Sequence, residues 1–392
     1  MSEERAHSRL GASGSKRWLN CTMAPVTEEQ FEDKGSDFAR EGTDAHTLGE
    51  AKLRISLGIT GNAGMLEATK NKLQYFDAEM DEATDLYQQI VLERFADAQK
   101  TTRDAVISLE ETLDYSVWVP GGFGTGDVVI IADGILDVMD LKYGKGVPVE
   151  AFENPQLKLY GLGAWDLYHD IYDIHTIRLT IIQPRLDSVT TYEISVEELL
   201  SWAENYVRPR AILAHEGNGE FLPGEWCQFC KAKATCRARA EANLALAAYE
   251  FRDPPLLTKD DIGKILFQVD QLTKWAGDIK EYAQQQAEKL GVKWPGWKLV
   301  EGRSNRKYLD EEAVAVKLTG AGYQEDIIYK PRELKGITDM EKAVGKKKFE
   351  TVLGALVVKP TGKPTLVPND DKRSEIQSPN SAAADFAEET ED

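Results

Sequence analysis

The sequence predicts an α/β fold in which a mixed sheet is flanked by helices. Apolar residues recur at helical spacing up to about residue 100, and three short runs rich in Val, Ile and Leu follow between residues 105 and 141. Helical and strand patterns then alternate up to residue 217, which is typical of α/β domains. The 42% of hydrophobic residues is enough to build a substantial core.

These patterns divide the 392 residues into three parts. We expect an α/β domain with a helical periphery over residues 1–250, because the segment Glu250–Pro255 is typical of a boundary. A mainly helical accessory domain should follow over residues 251–365. Residues 366–392 are rich in Ser, Ala, Asp and Glu and predict a disordered acidic tail.

The order of elements follows from the periodicity of each segment. The N-terminal part is predicted to contain one helix over residues 38–57 and a single longer helix over residues 64–100. Strands are expected at 105–109, 128–132, 135–141, 177–183 and 190–194, with helices at 155–170, 195–217 and 257–290. Two further short strands are expected at 297–300 and 306–309.

Composition narrows the functional classes. No segment approaches the run of roughly 18–20 apolar residues that a membrane span needs, and no apolar secretory signal is evident, so we expect a cytoplasmic protein with no membrane partner. The net charge of −19 argues against a protein that coats phosphates by bulk charge alone. Part of that negative charge lies in residues 370–392. A catalytic carboxylate site would account for a further part, which a bound divalent cation would offset.

The most informative stretch is a predicted hairpin around Asp133-Gly134. Two apolar runs flank this dipeptide, which is a strong hairpin signal because both turn positions of such a loop require positive φ. In a two-residue loop, residue 132 pairs with residue 135. Asp127 then lies opposite Asp140 on one face, and Lys142 shares that face.

Two carboxylates placed opposite each other in a sheet repel. A divalent cation held between Asp127 and Asp140 would remove this repulsion, and it would also lower the pKa of a bound water for phosphodiester hydrolysis. Lys142 would orient that water or stabilise the transition state. The simpler alternative is an edge-strand acid beside a solvated lysine.

Companion motifs carry a family resemblance. The chain contains Gly42-Thr43-Asp44-Ala45-His46, then Gly126-Asp127, Asp140-Leu141-Lys142 and Gln156-Leu157-Lys158-Leu159-Tyr160. Over roughly residues 10–240, this order and spacing resembles the RecB-like branch of the PD-(D/E)XK nucleases. The resemblance implies a restriction-endonuclease-like sheet and a metal-dependent DNA nuclease.

The same resemblance implies roles for individual residues. Mg²⁺ or Mn²⁺ would be held by His46, Asp127, Asp140 and the Leu141 carbonyl. Lys142 would be the catalytic lysine. Gln156 and Tyr160 lie one helical turn apart, and they would contact DNA or support the site.

All four cysteines of the chain belong to one pattern. Cys227, Cys230 and Cys236 lie within ten residues, and Cys21 lies more than 200 residues upstream. Thiolates at such spacing hold a metal centre, and zinc and an iron–sulfur cluster fit it equally well. Similarity to the iron–sulfur members of this nuclease branch, the AddB-type and CRISPR adaptation nucleases, implies a [4Fe–4S] cluster.

The expected function is therefore a Mg²⁺- or Mn²⁺-dependent exonuclease acting on DNA in phage or bacterial recombination, repair or replication. The layout is most similar to stand-alone phage-encoded members, which would work in the host cytoplasm. No ATP-binding P-loop motif is present, so a helicase or a single-strand annealing recombinase is the expected partner. Two alternatives are a catalytically silent DNA-binding module and a zinc-bound scaffold protein.

Overall fold

A computed structural model describes residues 8–32, 35–245, 258–300 and 310–320, together with residues 324, 336, 337, 340, 345–353, 356 and 357. The chain separates into two units, one formed by Met1–Leu256 and Asp270–Lys330, the other by Leu257–Val269 and Pro331–Asp392. The predicted strand at 306–309 and the predicted tail at 366–392 lie outside the described residues.

The first unit is built on a five-stranded mixed sheet. Its strands are β1 (Val106–Asp114), β2 (Phe123–Ala132), β3 (Gly134–Leu141), β4 (Ile174–Gln183) and β5 (Ser188–Ser195), in the spatial order β1-β2-β3-β4-β5. Neighbouring strands are antiparallel except β3 and β4, which run parallel. The predicted mixed α/β architecture is thereby confirmed.

Helices flank this sheet on both faces. Those before it are α1 (Ser15–Asn20), α2 (Ala24–Glu28), α3 (Asp37–Ser56), α4 (Ala63–Lys70) and α5 (Ala78–Thr101). Helix α6 (Pro155–Tyr168) connects β3 to β4, and α7 (Val196–Trp202), α8 (Arg208–Glu216) and α9 (Arg237–Leu244) follow the last strand. The described C-terminal helices are α10 (Lys259–Leu290), α11 (Glu311–Gly320) and α12 (Lys346–Leu353).

Two sequence-based helix predictions need correction. The single helix expected over 64–100 is two helices, because Asp77 adopts an extended conformation and its carboxylate accepts a hydrogen bond from Met80 N at 2.7 Å, which caps a new helix. The helix expected over 195–217 contains a π segment at Ala203–Val207. Pro209 follows it and has no N–H to continue the α-helical pattern. Residues 297–300, predicted to be a strand, form none.

The hairpin prediction is confirmed in its register. Val128 pairs with Met139 and Ala132 with Ile135, so the loop has two residues. The expected backbone was wrong at one position, because Gly134 has φ +79° but Asp133 does not enter the left-handed region. Instead, the Asp133 amide donates a hydrogen bond to Thr102 Oγ1 at 2.9 Å, which holds the turn from outside.

Apolar side chains pack against both faces of the sheet. Leu136 and Val138 of β3 belong to the core that includes α6, whereas Met139 and Leu141 pack with side chains of α3 and α5. By the same alternation, Asp140 lies on the face of Leu136 and Val138, and the Leu141 side chain lies on the opposite face. Among the helices of the described ranges, none is both long and apolar enough to cross a bilayer.

Asp137 is a buried carboxylate on the α5 side of β3. Its exposed fraction is 3%, and its Oδ2 atom lies 3.7 Å from Arg94 Nη1 and 3.6 Å from Arg178 Nη1. Burial raises the pKa of Asp137 to about 6, even though both arginines act to lower it. The two loose ion pairs therefore do not fully offset the desolvation of this charge.

The Asp137→Asn variant is expected to gain stability relative to the natural chain as pH rises. The folded-state pKa of Asp137 exceeds its unfolded value. The contribution of this group to folding stability is therefore complete below about pH 4 and is lost as pH rises through about 6. The difference in unfolding free energy should therefore move by about 3 kcal/mol in favour of the variant between pH 4 and 7. Urea unfolding at several pH values measures it, with Asp133→Asn as an exposed control. A difference that stays flat, or falls, contradicts the assignment.

Candidate active site

Four of the predicted site residues meet on the α6 side of the sheet. Asp140 is 2% exposed, and its Oδ2 lies 2.8 Å from Lys142 Nζ. Gln156 joins the two, since its Nε2 donates to Asp140 Oδ1 at 3.1 Å and its Oε1 accepts from Lys142 Nζ at 3.1 Å. Gln156 Nε2 also lies 3.4 Å from the Tyr160 hydroxyl. The predicted sharing of one face by Asp140 and Lys142 is confirmed by this contact.

Local sequence explains how α6 presents these groups. Asn154 caps the helix through its Oδ1 atom, which accepts hydrogen bonds from the amides of Gln156 and Leu157. Gln156 therefore lies in the first turn, next to the end of β3, and Tyr160 lies one turn further on. A Cβ atom at Gly124 would approach the Tyr160 ring to 2.7 Å, so glycine at this position of β2 leaves space for that ring.

The other two predicted site residues meet on the α3 side. His46 Nδ1 lies 3.2 Å from Asp127 Oδ1, and Asp127 Oδ2 accepts a hydrogen bond from the Leu141 amide at 2.7 Å. The Leu141 backbone is thus adjacent to Asp127. Asp127 is thus bound by His46 of α3 and the Leu141 amide, whereas Asp140 is bound by Lys142 and by Gln156 of α6. The two groups are close to each other, because both carboxylates act to raise the pKa of His46.

The pairing of β1 with β2 is interrupted opposite Asp127. The β1–β2 pairing omits the pair that Glu110 and Asp127 would form, and Glu110 has φ +53°. Leu109 packs with the α5 layer but Leu113 packs with the α6 layer, although a regular strand places residues four apart on one face. The pleat therefore changes phase at Glu110.

Glu110 lies beside His46 and Asp127, although no sequence motif includes it. One ligand atom each from His46, Glu110 and Asp127 lie within 4.8 Å of one another. The available signal was the adjacent acidic pair Glu110-Glu111 in the middle of a strand. Its register with β2 was not predictable, because residues 115–122 do not form a short turn of known geometry.

His46 and Lys142 are positively charged groups beside the carboxylates of the site. Burial acts to lower the pKa of His46, but Asp127 and Asp140 raise it to about 9, so the ring carries a proton at neutral pH. Burial also acts to lower the pKa of Lys142, but Asp140 and Asp127 outweigh it and raise the pKa. Burial raises the pKa of the Asp140 carboxyl despite Lys142. A cation that binds His46 must displace its proton.

The donor set fits a divalent cation. Two carboxylates and one imidazole suit Mn²⁺ and other first-row ions, and carboxylates alone suit Mg²⁺. Burial, with Asp127 and Glu50, raises the pKa of Glu110 to about 7. A dipositive ion would reverse this effect by compensating the clustered acids.

The four cysteines line one cavity. Cys21 follows α1, Cys227 and Cys230 belong to the turn after α8, and Cys236 precedes α9. All four are free thiols, and the cavity is also lined by Arg17, Lys233 and Arg239. The chain thus brings together cysteines that are far apart in sequence.

Thiol chemistry in this cavity fits a metal centre. Burial raises the pKa of Cys21, Cys227 and Cys230, the last to about 12, so neutral thiols persist unless a metal replaces their protons. The Gly224 amide donates to Cys227 Sγ at 3.4 Å, and Arg239 acts to lower the pKa of Cys227. Backbone donors and nearby cations of this kind stabilise thiolates bound to metal.

Comparison with known proteins identifies one family over most of the chain. A solved structure titled "Crystal structure of SSO0001" is 15% identical and covers 57% of this chain and 96% of its own, but its TM-score of 0.21 is too low to indicate a shared fold. Residues 7–374 match the family described as "Protein of unknown function (DUF2800)". This chain belongs to the DUF2800 family.

Proposed function

We propose that this protein is a divalent-metal-dependent DNA nuclease. The observation that carries the proposal is that two groups of contacting residues lie close together. One joins His46 of α3 to Asp127 of β2, and the other joins Asp140 of β3 and Lys142 directly after it to Gln156 and Tyr160 of α6. Direct contacts of 2.7–3.4 Å connect the residues within each group. A restriction-endonuclease-like arrangement of the sheet is part of the same proposal.

The charges assign a role to each group. Lys142 has a raised pKa and remains cationic at neutral pH, so it serves to stabilise negative charge on the phosphate or to orient water, and it does not act as a general base. Gln156 holds Lys142 and Asp140 in their relative positions through both ends of its amide. Tyr160 is protonated, because burial raises its pKa, and its hydroxyl offers a hydrogen bond near this edge.

A bound Mg²⁺ or Mn²⁺ would supply a water of lowered pKa and charge stabilisation at the phosphate. His46, Asp127 and Asp140 are the residues that would hold it, with the Leu141 carbonyl as the further ligand that the resemblance implies. DNA is the substrate that the resemblance indicates, and a helicase or annealing recombinase in the cytoplasm remains the proposed partner.

We also propose a [4Fe–4S] cluster in the cysteine cavity rather than zinc. Tetrahedral Zn²⁺ with bonds of about 2.3 Å holds its sulfur ligands roughly 3.8 Å apart. Among the described residues, no three cysteine sulfur atoms all lie within 4.8 Å of one another, although all four cysteines line one cavity. This wider spacing favours a cluster that contains several metal ions.

The test of nuclease activity compares linear DNA incubated with the natural chain, Asp127→Asn and Asp133→Asn. We expect cleavage with Mg²⁺ or Mn²⁺ by the natural chain and by Asp133→Asn, which changes an exposed residue of the hairpin turn. Asp127→Asn should lose at least about 100-fold in rate, because the metal site loses a charged ligand. Binding of DNA without cleavage under either metal would favour the silent module, and absence of both would favour the scaffold protein.

A further inference from the structure

The carboxylate of Glu110 is half-buried among other charged groups, and the positive charges of His46 and Arg54 act on it without direct contact. Within the described part of the chain, it forms neither a hydrogen bond nor an ion pair. Other acidic groups of this region are paired: Asp127 contacts His46 and the Leu141 amide, Asp140 contacts Lys142 and Gln156, and Glu50 contacts Arg54 at 2.6 Å. Glu110 is the member of this group that lacks a partner.

The backbone directs this unpaired group into the site. Glu110 adopts φ +53°, a left-handed conformation that is strained for a non-glycine residue. The resulting change of phase turns the strand from the α5 layer to the α6 layer at this residue. An oxygen of Glu110 consequently lies within 4.8 Å of ligand atoms of both His46 and Asp127.

We infer that Glu110 is a cation ligand, and that His46, Glu110 and Asp127 bind one divalent ion on the α3 side of Asp127. An imidazole nitrogen and two carboxylate oxygens at this mutual distance match what a first-row divalent ion accepts. The inference rests on the proposed function for its biological meaning, but metal binding itself is measurable without DNA. It adds a ligand from β1, a strand that none of the sequence motifs includes.

The neighbouring Glu111 provides a matched control. It lies on the same strand, carries the same charge, and accepts a hydrogen bond from Ser108 Oγ, so it is already paired. It pairs in register with Gly126, outside the group of three ligands. Substituting glutamine at either position removes one carboxyl group from β1 and keeps the size of the side chain.

The experiment is calorimetric titration of Mn²⁺ into the full chain, purified anaerobically with its cysteine site loaded, in the absence of DNA. We expect Glu110→Gln and Asp127→Asn each to weaken Mn²⁺ binding at least about tenfold, with Glu111→Gln within about twofold of the natural chain. Equal weakening by Glu110→Gln and Glu111→Gln would show a general charge effect and overturn the inference. Unchanged affinity in Glu110→Gln, or no Mn²⁺ binding by the natural chain, would also overturn it.

DNA cleavage measured on the same samples separates this inference from the proposed function. Weaker Mn²⁺ binding by Glu110→Gln in a protein that cleaves no DNA supports the ligand assignment and contradicts the nuclease. Cleavage by the natural chain together with unchanged Mn²⁺ affinity in Glu110→Gln supports the nuclease and removes Glu110 from the site. Thermal unfolding of each variant establishes that the change of charge has not unfolded the sheet.

Discussion

Replacing Lys142 with alanine is expected to reduce Mn²⁺-dependent DNA cleavage by about 10²–10³-fold, the range observed when one donor to transition-state charge is removed. Lys142 is the cation nearest to Asp140, at 2.8 Å, and Gln156 fixes its position. Because its pKa is raised, it keeps its proton over the working pH range. The loss of activity should therefore be equal at pH 7 and pH 9.

Metal binding distinguishes this lysine from the ligands. Lys142→Ala removes a positive charge beside Asp140, so Mn²⁺ affinity should stay constant or increase, while the cleavage rate falls. Lys145 offers a matched control, because it is exposed and its Nζ atom lies 3.1 Å from Glu79 Oε1. This ion pair does not include Asp140. Cleavage by Lys145→Ala should remain within about twofold of the natural chain. A Lys142→Ala variant that cleaves at the natural rate would contradict the proposed role.

The Cys21→Ser variant is expected to lose both its metal cluster and much of its thermal stability. As a ligand of the proposed cluster, Cys21 would link the N-terminal helices to a segment more than 200 residues away, and closing a loop of that length costs conformational entropy. Metal–thiolate binding supplies folding free energy in such sites. A loss of several kcal/mol corresponds to a fall in Tm of about 10–20 °C.

Iron content, zinc content and absorbance near 400 nm of anaerobically purified protein measure the outcome. The natural chain should contain iron and absorb in this region, and Cys21→Ser should do neither. Thr235→Ser is a conservative control, since the hydroxyl that donates to Ala232 is kept. One zinc ion per chain without this absorbance would show that zinc, and not an iron–sulfur cluster, occupies the cysteine site. Unchanged metal content and Tm in Cys21→Ser would contradict a shared site.

Several parts of the site were predictable because they depend on local geometry. The dipeptide Asp133-Gly134 between apolar runs indicated a two-residue loop, and the register of β2 with β3 then followed. Side-chain alternation along β3 put Asp140 and Lys142 on one face, which the contact between them confirms. The helical period similarly placed Gln156 and Tyr160 one turn apart.

Other parts depended on contacts that apolar periodicity does not record. The helix predicted over 64–100 has an apolar period throughout, yet Asp77 caps a second helix because its side chain satisfies the Met80 amide. The pairing of Asp127 with His46 follows from the packing of α3 against the sheet edge. Neither arrangement is encoded by the periodicity of a single segment.

The sequence by itself determined the α/β architecture and the hairpin register, since both depend on short-range spacing. It also supplied seven candidate site residues and four candidate cysteines, whose roles are those that the family resemblance implies. Only the tertiary structure decided that Asp127 takes His46 of α3 as its partner while Asp140 takes Gln156 of α6, and that Glu110 lies beside His46 and Asp127. Glu110 reaches this group because β1 changes phase at that residue. A single left-handed residue reverses the faces of a strand, and its cost is met by packing on both sides of the sheet, which no local pattern records.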